Sequence, residues 1–341
     1  MNKHKALAGA LLISSAFMLH SCGSNGNAAN NQKDSVVIDD ASTETAENPF
    51  IKEYPKVPEY IPIFLKAGPV GEKTYAELKG RYSADLGTLK KTVEATGAKF
   101  VLLVITPGAV KDMTVEEKAG IDFLNSAAKS NGVETIDVTP FIHGFTAQEL
   151  TQIPKDGHWS KEGAAKLADE LAKYIPKYAA AKSTATYDKR PETFNDLEAG
   201  MDQVLDGGKN LPYHVVTNKQ GLRMNYDLAF PKTKQRILFM GDSEVYCPFL
   251  DNEYIITSLL QGKFADKEII NASVIGYTLE DYISLYTDKT KFSEPDVVIV
   301  ATSPGDVIDY YFSQRNKLSR THKQYPPSEN EKELYKVLYT K

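Results

Sequence analysis

The sequence is poor in the residues that build metal centres and disulfide frameworks: its 341 residues include two cysteines, one tryptophan and six histidines. We expect Cys22 and Cys247 not to pair, because Cys22 belongs to an export signal. No cluster of His, Cys and carboxylates has metal-ligand spacing, so we predict a site without metal or cofactor. The net charge of −5 leaves no basic excess, and we therefore expect no nucleic acid partner.

Outside its N-terminus the sequence lacks an apolar run of about 18 residues, so we expect no internal membrane span. Residues 1–22 differ, because two lysines precede an apolar stretch from Ala6 to Leu19 that ends at Cys22. This pattern resembles a bacterial lipoprotein signal peptide, in which Cys22 is lipidated after cleavage. The alternative is a secretory signal with an incidental Cys22. We expect an exported protein with a lipid anchor in the cell envelope, in the outer membrane or a periplasm-facing membrane.

The remaining chain divides into a polar tether and one domain. Residues 23–48 are polar and acidic, which predicts a flexible tether. The prolines between Pro49 and Pro69 predict an extended segment rather than a helix. We expect residues 49–341 to form a single α/β domain. Its parts are the half at 75–178, the connection at 179–212 with a helix near 192–205, and the half at 213–341.

Strand and helix patterns alternate along both halves. Short apolar runs predict buried strands at Lys99–Thr106, Val133–Val138, Arg236–Met240, Glu268–Asn271 and Asp296–Ala301. Amphipathic patterns predict helices at Tyr75–Gly97, Val115–Asn131, Lys161–Tyr174, Tyr254–Gln261, Thr278–Leu285 and Ser328–Tyr339. This alternation predicts a parallel sheet with helices on both faces. Because neither half supplies a full sheet, we predict one five-stranded sheet built from both.

Two stretches carry the parts of an acyl-transfer triad. The strand from Arg236 ends at Gly241-Asp242-Ser243, where a serine hydroxyl can point out of the sheet edge that binds ligands in open α/β folds. Asp156 and His158 lie two residues apart just before a helix. Serine, histidine and aspartate together form such triads. The alternatives are that Asp242 and Ser243 are only a helix N-cap and that His158 is structural; Cys247 is a weaker candidate nucleophile.

Four blocks of the sequence resemble the SGNH-type (GDSL-like) hydrolases. Their first three are matched by residues 218–243, 271–278 and 295–306, and their last block, with Asp-Gly-His, by 156–164. Here the Asp/His block precedes the serine block, and this order, with His158-Trp159, is similar to the alginate O-acetylation proteins. The resemblance implies a flavodoxin-like three-layer sandwich with a circularly permuted SGNH strand order.

The resemblance also implies a role for each site residue. Ser243 is the expected nucleophile, His158 the base that takes its proton, and Asp156 the group that orients the imidazole. The amides of Ser243 and Gly276 are expected in the oxyanion hole. The family's third donor is an asparagine side chain, and Gly305 stands in its place. Losing one such donor typically costs about 10²–10³ in rate.

The expected function is that of an O-acetyltransferase or acetylesterase with an acyl-serine intermediate. We expect it to act on a cell-envelope or extracellular polysaccharide or another acylated sugar, with envelope polysaccharide machinery as a possible partner. Trp159, Tyr277 and Asp306 are candidates for lining the substrate cleft, although Trp159 is at least as typical of core packing. Because Gly305 replaces asparagine, the alternative is an inactive relative that binds polysaccharide.

Overall fold

A five-stranded parallel sheet forms the centre of the computed structural model, which describes residues 67–206, 210–315 and 328–339. The described strands are β1 (Lys99–Val104), β2 (Glu134–Asp137), β3 (Asp202–Asp206), β4 (Pro212–Val216), β5 (Gln235–Met240), β6 (Lys267–Asn271) and β7 (Val297–Thr302). β3 and β4 form a separate antiparallel hairpin. The other five pair side by side in the order β2-β1-β7-β5-β6, all parallel.

The strand order confirms the prediction of one sheet assembled from both halves of the chain. β1 and β2 come from the first half, and β5, β6 and β7 come from the second. If the strands of this sheet are renumbered 1 to 5 in the order β5, β6, β7, β1 and β2, they lie side by side in the order 2-1-3-4-5, which is that of flavodoxin-like folds. The central strand β7 is buried along its whole length, which its unbroken apolar and β-branched run predicts. The strand order reverses between β5 and β7, and ligands bind at such points in open α/β sheets.

Helices surround this sheet. The described α-helices are α1 (Pro69–Glu94), α2 (Val115–Ser130), α3 (Thr139–Ile142), α4 (Ala147–Leu150), α5 (Lys161–Ala172), α6 (Ser243–Tyr246), α7 (Ile256–Lys263), α8 (Leu279–Asp288), α9 (Pro304–Arg315) and α10 (Glu329–Tyr339). The long α1 packs with α2, α8, α9 and α10, whereas α5 packs against α7. Within the described part of the chain, no helix has the length and apolar character needed to span a bilayer.

Two predictions of local structure are wrong. α1 begins at Pro69 rather than near Tyr75, because proline is well accommodated in the first turn of a helix, where no intrahelical N–H bond is lost. The predicted helix near 192–205 is absent from those described residues. Gly200 has a φ of +69° there, and the chain then enters β3, which pairs with β4. The predictions for residues 1–48, including Cys22, and for most of 49–69 lie outside the described residues.

Gly163 lets α5 begin very close to the end of α4. A Cβ at this position would lie 1.9 Å from the carbonyl oxygen of Leu150. That oxygen also accepts hydrogen bonds from the Ser160 amide (2.9 Å) and the Ser160 hydroxyl (3.2 Å). The hydroxyl of Ser160 in turn caps α5 by accepting from the Gly163 amide at 3.0 Å. These contacts close the base of the loop that carries Asp156 and His158.

We expect Gly163→Ala to lower the free energy of unfolding by about 1–3 kcal/mol, because the added methyl group overlaps backbone that cannot rotate away. The matched control is Gly262→Ala in α7, where a Cβ meets nothing within 4 Å. That change is expected to raise stability slightly, by up to about 1 kcal/mol. Chemical denaturation of both variants measures the difference, and equal stabilities would contradict the assignment of this close approach.

Candidate active site

Gly241, Asp242 and Ser243, which we call the serine turn, follow directly after the end of β5. A Cβ at Gly241 would lie 2.6 Å from Val245 Cγ2 and 3.2 Å from the Ala301 side chain, so only glycine lets α6 fold back against β7. The Asp242 carboxylate caps α6 by accepting from the Glu244 amide at 2.9 Å. Asp242 is therefore a helix N-cap, as one of the alternatives predicted. Ser243 is not a cap: it is the first residue of α6 and is half-buried.

Residues 151–160, between α4 and α5, form a loop that carries Asp156 and His158 and that we call the Asp/His loop. Backbone hydrogen bonds close it. Thr151 bridges to Trp159, and the Gln152 amide donates to the His158 carbonyl at 3.0 Å. One carboxylate oxygen of Asp156 accepts from the His158 amide at 2.8 Å and contacts His158 Nδ1 at 2.5 Å. Asp156 and His158 are each only 4% exposed. Because an ionised carboxylate only accepts, Nδ1 carries the proton, and Nε2 is the nitrogen able to take a second one.

The structure brings the two predicted stretches together. The Trp159 indole N–H donates to the Glu244 carbonyl at 3.1 Å, and the Gln152 amide group donates to Pro248 O at 3.4 Å. The His158 ring lies 6.2 Å from the Phe249 ring, centroid to centroid. Among the described residues, however, no hydrogen bond joins the Ser243 hydroxyl to His158. The complete Ser-His-Asp triad therefore remains a prediction, since hydrogen bonds of unliganded sites often tighten only with substrate.

Acidic side chains crowd the serine turn. Burial raises the pKa of Asp242, and it raises the pKa of Glu244 well above its usual range with added repulsion from neighbouring carboxylates. The pKa of Asp306 is raised in the same way, by burial and by Asp242. Glu244 Oε2 and Asp306 Oδ1 are buried and have no hydrogen-bond partner in the described part of the chain. These features favour neutral carboxyl groups at Glu244 and Asp306.

No set of three or more His, Cys, Asp or Glu side chains suited to a metal ion occurs among residues 67–206, 210–315 and 328–339. The buried Cys247 does not resemble a nucleophile, because burial raises the pKa of its thiol to about 12.

Two glycines hold the positions predicted around an oxyanion. Gly276 has a φ of +77° and is half-buried, and within the described residues its amide has no hydrogen-bond partner. Ser243 is the first residue of α6, so its amide forms no hydrogen bond within that helix. Gly305 lies in the first turn of α9 and is half-buried. A donor at Gly276 is therefore available, whereas Gly305 offers no side chain.

The three predicted cleft residues are largely buried. Trp159 has no exposed surface, so its packing in the core fits the structure and stacking on a sugar does not. The Tyr277 hydroxyl donates to Asp196 at 2.9 Å, and Tyr277 is 7% exposed. Asp306 is fully buried and accepts from the Ser303 amide at 2.6 Å and the Ser303 hydroxyl at 2.9 Å. All three therefore present little or no surface to a ligand.

Other residues of the site were not predicted. Glu244 follows the serine directly, and its burial could not be read from the sequence because acidic residues are common in the first turn of any helix. Phe249 reaches His158 from the turn after α6. Arg223 lies within the first resemblance block, residues 218–243, directly after Leu222. A charged residue next to apolar ones was the only sequence signal for its role.

Comparisons with models of known families and with curated proteins give no match. Among solved structures, the O-acetyltransferase domain of Pseudomonas putida AlgJ is 15% identical with a TM-score of 0.44, over 79% of this chain and 93% of that one. Pseudomonas aeruginosa AlgX is 16% identical with a TM-score of 0.37, over 67% and 59%. Bacillus cereus PatB1 is 10% identical with a TM-score of 0.36, over 68% and 91%. These likenesses are too weak to assign residues or activity.

Asp309 makes stability depend on pH. Burial, with a contribution from Asp242, raises the pKa of Asp309 to about 8. The folded state therefore holds a proton that the unfolded state releases above about pH 4. The contribution of Asp309 to the free energy of unfolding is therefore expected to be complete below about pH 4 and to be lost as pH rises towards 8.

We expect Asp309→Asn to remove part of this fall and leave the protein more stable than the wild type at pH 8. Asp112→Asn, at an exposed position, is the control and should keep the wild-type slope. Urea unfolding between pH 4 and pH 8 measures both slopes. Identical slopes in the wild type and Asp309→Asn would show that Asp309 ionises normally in the fold.

Proposed function

We propose that the protein is an exported, lipid-anchored serine enzyme that transfers or removes an acetyl group on a polysaccharide. One observation supports this most directly: the loop that carries the buried Asp156–His158 pair contacts, through Trp159, the helix that Ser243 begins, at the sheet edge where the strand order reverses. An imidazole oriented by a carboxylate and a half-buried serine are the groups that nucleophilic acyl transfer needs. The polysaccharide substrate and the anchor rest on the sequence resemblances.

In the proposed mechanism, Ser243 Oγ attacks the carbonyl carbon of an acetyl ester while His158 Nε2 takes the hydroxyl proton. The C=O electron pair moves to the oxygen, and the Gly276 amide donates to that oxyanion. When the tetrahedral intermediate collapses, the bond to the leaving alcohol breaks and His158 returns the proton to it. Asp156 stays ionised and stabilises the imidazolium throughout.

The acetyl-serine is then resolved by a second attack. Water yields acetate, and a sugar hydroxyl yields a new O-acetyl ester; in both cases His158 takes the proton of the attacking group and returns it to Ser243 Oγ. Hydrolase and transferase thus use the same residues, and the identity of the acceptor separates them.

We expect Ser243→Ala to lower the turnover of a chromogenic acetyl ester by about 10³-fold or more and to abolish the adduct with a serine-directed phosphonate. Ser130→Ala, at the exposed end of α2, should keep both. Assays with and without an oligosaccharide acceptor, followed by mass spectrometry, distinguish acetate release from sugar acetylation. Turnover that survives Ser243→Ala would refute the proposed nucleophile.

Gly305→Asn tests whether the missing donor limits the rate. The new side chain is expected to supply the absent oxyanion contact and to raise kcat by up to about 10²-fold. A Cβ at Gly305 would lie 3.1 Å from Ser303 Oγ, a close contact that a small shift of the Ser303 side chain relieves. Gly305→Ala, which adds the same Cβ without a donor, is the control. A similar kcat for both variants would show that the oxyanion does not lie within reach of this position.

A second candidate function is the binding of polysaccharide without catalysis. It is favoured by Gly305, which offers no side-chain donor where the resemblance implies an asparagine. In that case Ser243→Ala would leave oligosaccharide affinity unchanged, and the wild type would form no phosphonate adduct.

A further inference from the structure

Arg223 is a fully buried cation that forms no ion pair with any described carboxylate. Its donors instead reach a single turn of chain, between the end of α6 and the residue Asn252. The Nη1 group donates to the Tyr246 carbonyl and, at 3.3 Å, to the Cys247 carbonyl. The Nη2 group donates to Leu250 O at 2.6 Å, and Nε donates to Asn252 Oδ1 at 3.0 Å. The guanidinium therefore occupies the centre of this turn, residues 246–252, which we call the arginine-held turn.

The arginine-held turn has an unfavourable backbone conformation. Cys247 has a φ of +55° and Phe249 has a φ of +64°, in a region that residues with a side chain rarely adopt. Such conformations persist only where the surroundings fix them. The planar fork of Arg223 does so by satisfying several carbonyls at once, and its guanidinium also lies 4.2 Å from the centre of the Tyr246 ring.

The left-handed conformations of Cys247 and Phe249 place the Phe249 ring near His158, the proposed catalytic base. Its ring lies 6.2 Å from the His158 ring at an interplanar angle of 57°, and it packs edge-on against Tyr213 at 5.5 Å. The same turn accepts a hydrogen bond at Pro248 O from Gln152, which also holds the Asp/His loop through Trp159 O at 3.0 Å. Asp156 fixes His158 at Nδ1, and Phe249 limits how the ring can tilt.

Assuming the proposed function, we infer that Arg223 is a positioning residue: it fixes the arginine-held turn so that Phe249 holds the His158 imidazole in place for proton transfer with Ser243. Arg223 itself touches neither His158 nor Ser243 in the described contacts. Its effect passes through the backbone of the turn and one aromatic ring. Lysine carries the same charge but cannot reproduce a fork that reaches four acceptors.

Arg236 provides a matched control, because it lies at the start of β5, at the opposite end of this strand from Ser243. It is also fully buried, and it donates to the carbonyls of Ser293 (2.8 Å) and Ala229 (2.5 Å) and to Glu268 (2.6 Å). Arg236→Lys should therefore destabilise the fold without changing the catalytic base.

The test compares Arg223→Lys with Arg236→Lys in the full-length protein. We expect Arg223→Lys to lower kcat for the acetyl ester by about 10²-fold with KM unchanged, because a displaced base reduces only the chemical step. The downfield proton resonance of the His158–Asp156 hydrogen bond, assigned by its loss in His158→Gln, should shift or broaden. Arg236→Lys should keep both kcat and this resonance, whatever its Tm.

The inference is overturned if folded Arg223→Lys keeps the wild-type kcat and resonance, or if Arg236→Lys changes them equally. Should Arg223→Lys fail to fold, Phe249→Ala takes its place, and an unchanged resonance in that variant also overturns the inference. A wild type without ester turnover refutes the proposed function alone, because the resonance still reports whether Arg223 and Phe249 fix the His158 ring.

Discussion

The hydrogen bond between Asp156 and His158 Nδ1 is the interaction on which the site depends. It is buried, it joins residues two apart in sequence, and it determines which imidazole nitrogen is left for chemistry. A loop of this kind is held in place from outside. Gly163 allows α5 to approach the loop, Trp159 hydrogen-bonds to α6, and Gln152 hydrogen-bonds to the arginine-held turn. The fold therefore supplies the alignment that the short loop itself cannot.

The sheet was predictable because most of its strands, β1, β5, β6 and β7, are buried along most of their length. β7 reads as an unbroken apolar run, and β5 ends in a glycine-containing turn. Parallel strands with helices between them allow few arrangements, so the union of the two halves followed from counting strands. The hairpin of β3 and β4 was not predictable, because β3 is polar and largely exposed. Its pairing with β4 and the left-handed Gly200 outweigh a weak helical pattern.

The site was predictable only in part, and the reason is the distance between its parts in sequence. Ser243, His158 and Asp156 stand in recognisable local patterns. The contacts of Phe249 and Arg223 with their surroundings depend on left-handed residues at Cys247 and Phe249, which nothing in the local sequence marks. Glycine or asparagine is expected at such positions. Non-glycine residues there indicate that tertiary contacts, not local preference, determine the turn.

The two ends of β5 differ in the charged groups that surround them. At its start, Arg236 meets Glu268 and carbonyl groups, so positive charge is balanced. At its end, burial raises the pKa values of Asp242, Glu244 and Asp306, and repulsion from neighbouring carboxylates raises those of Glu244 and Asp306 further. Buried acids of this kind tend to keep their protons, and under the proposed function neutral carboxyl groups at Glu244 and Asp306 would spare the oxyanion of the substrate a nearby negative charge. The raised pKa values of these two groups would thus favour the negative charge that develops in the proposed acyl transfer.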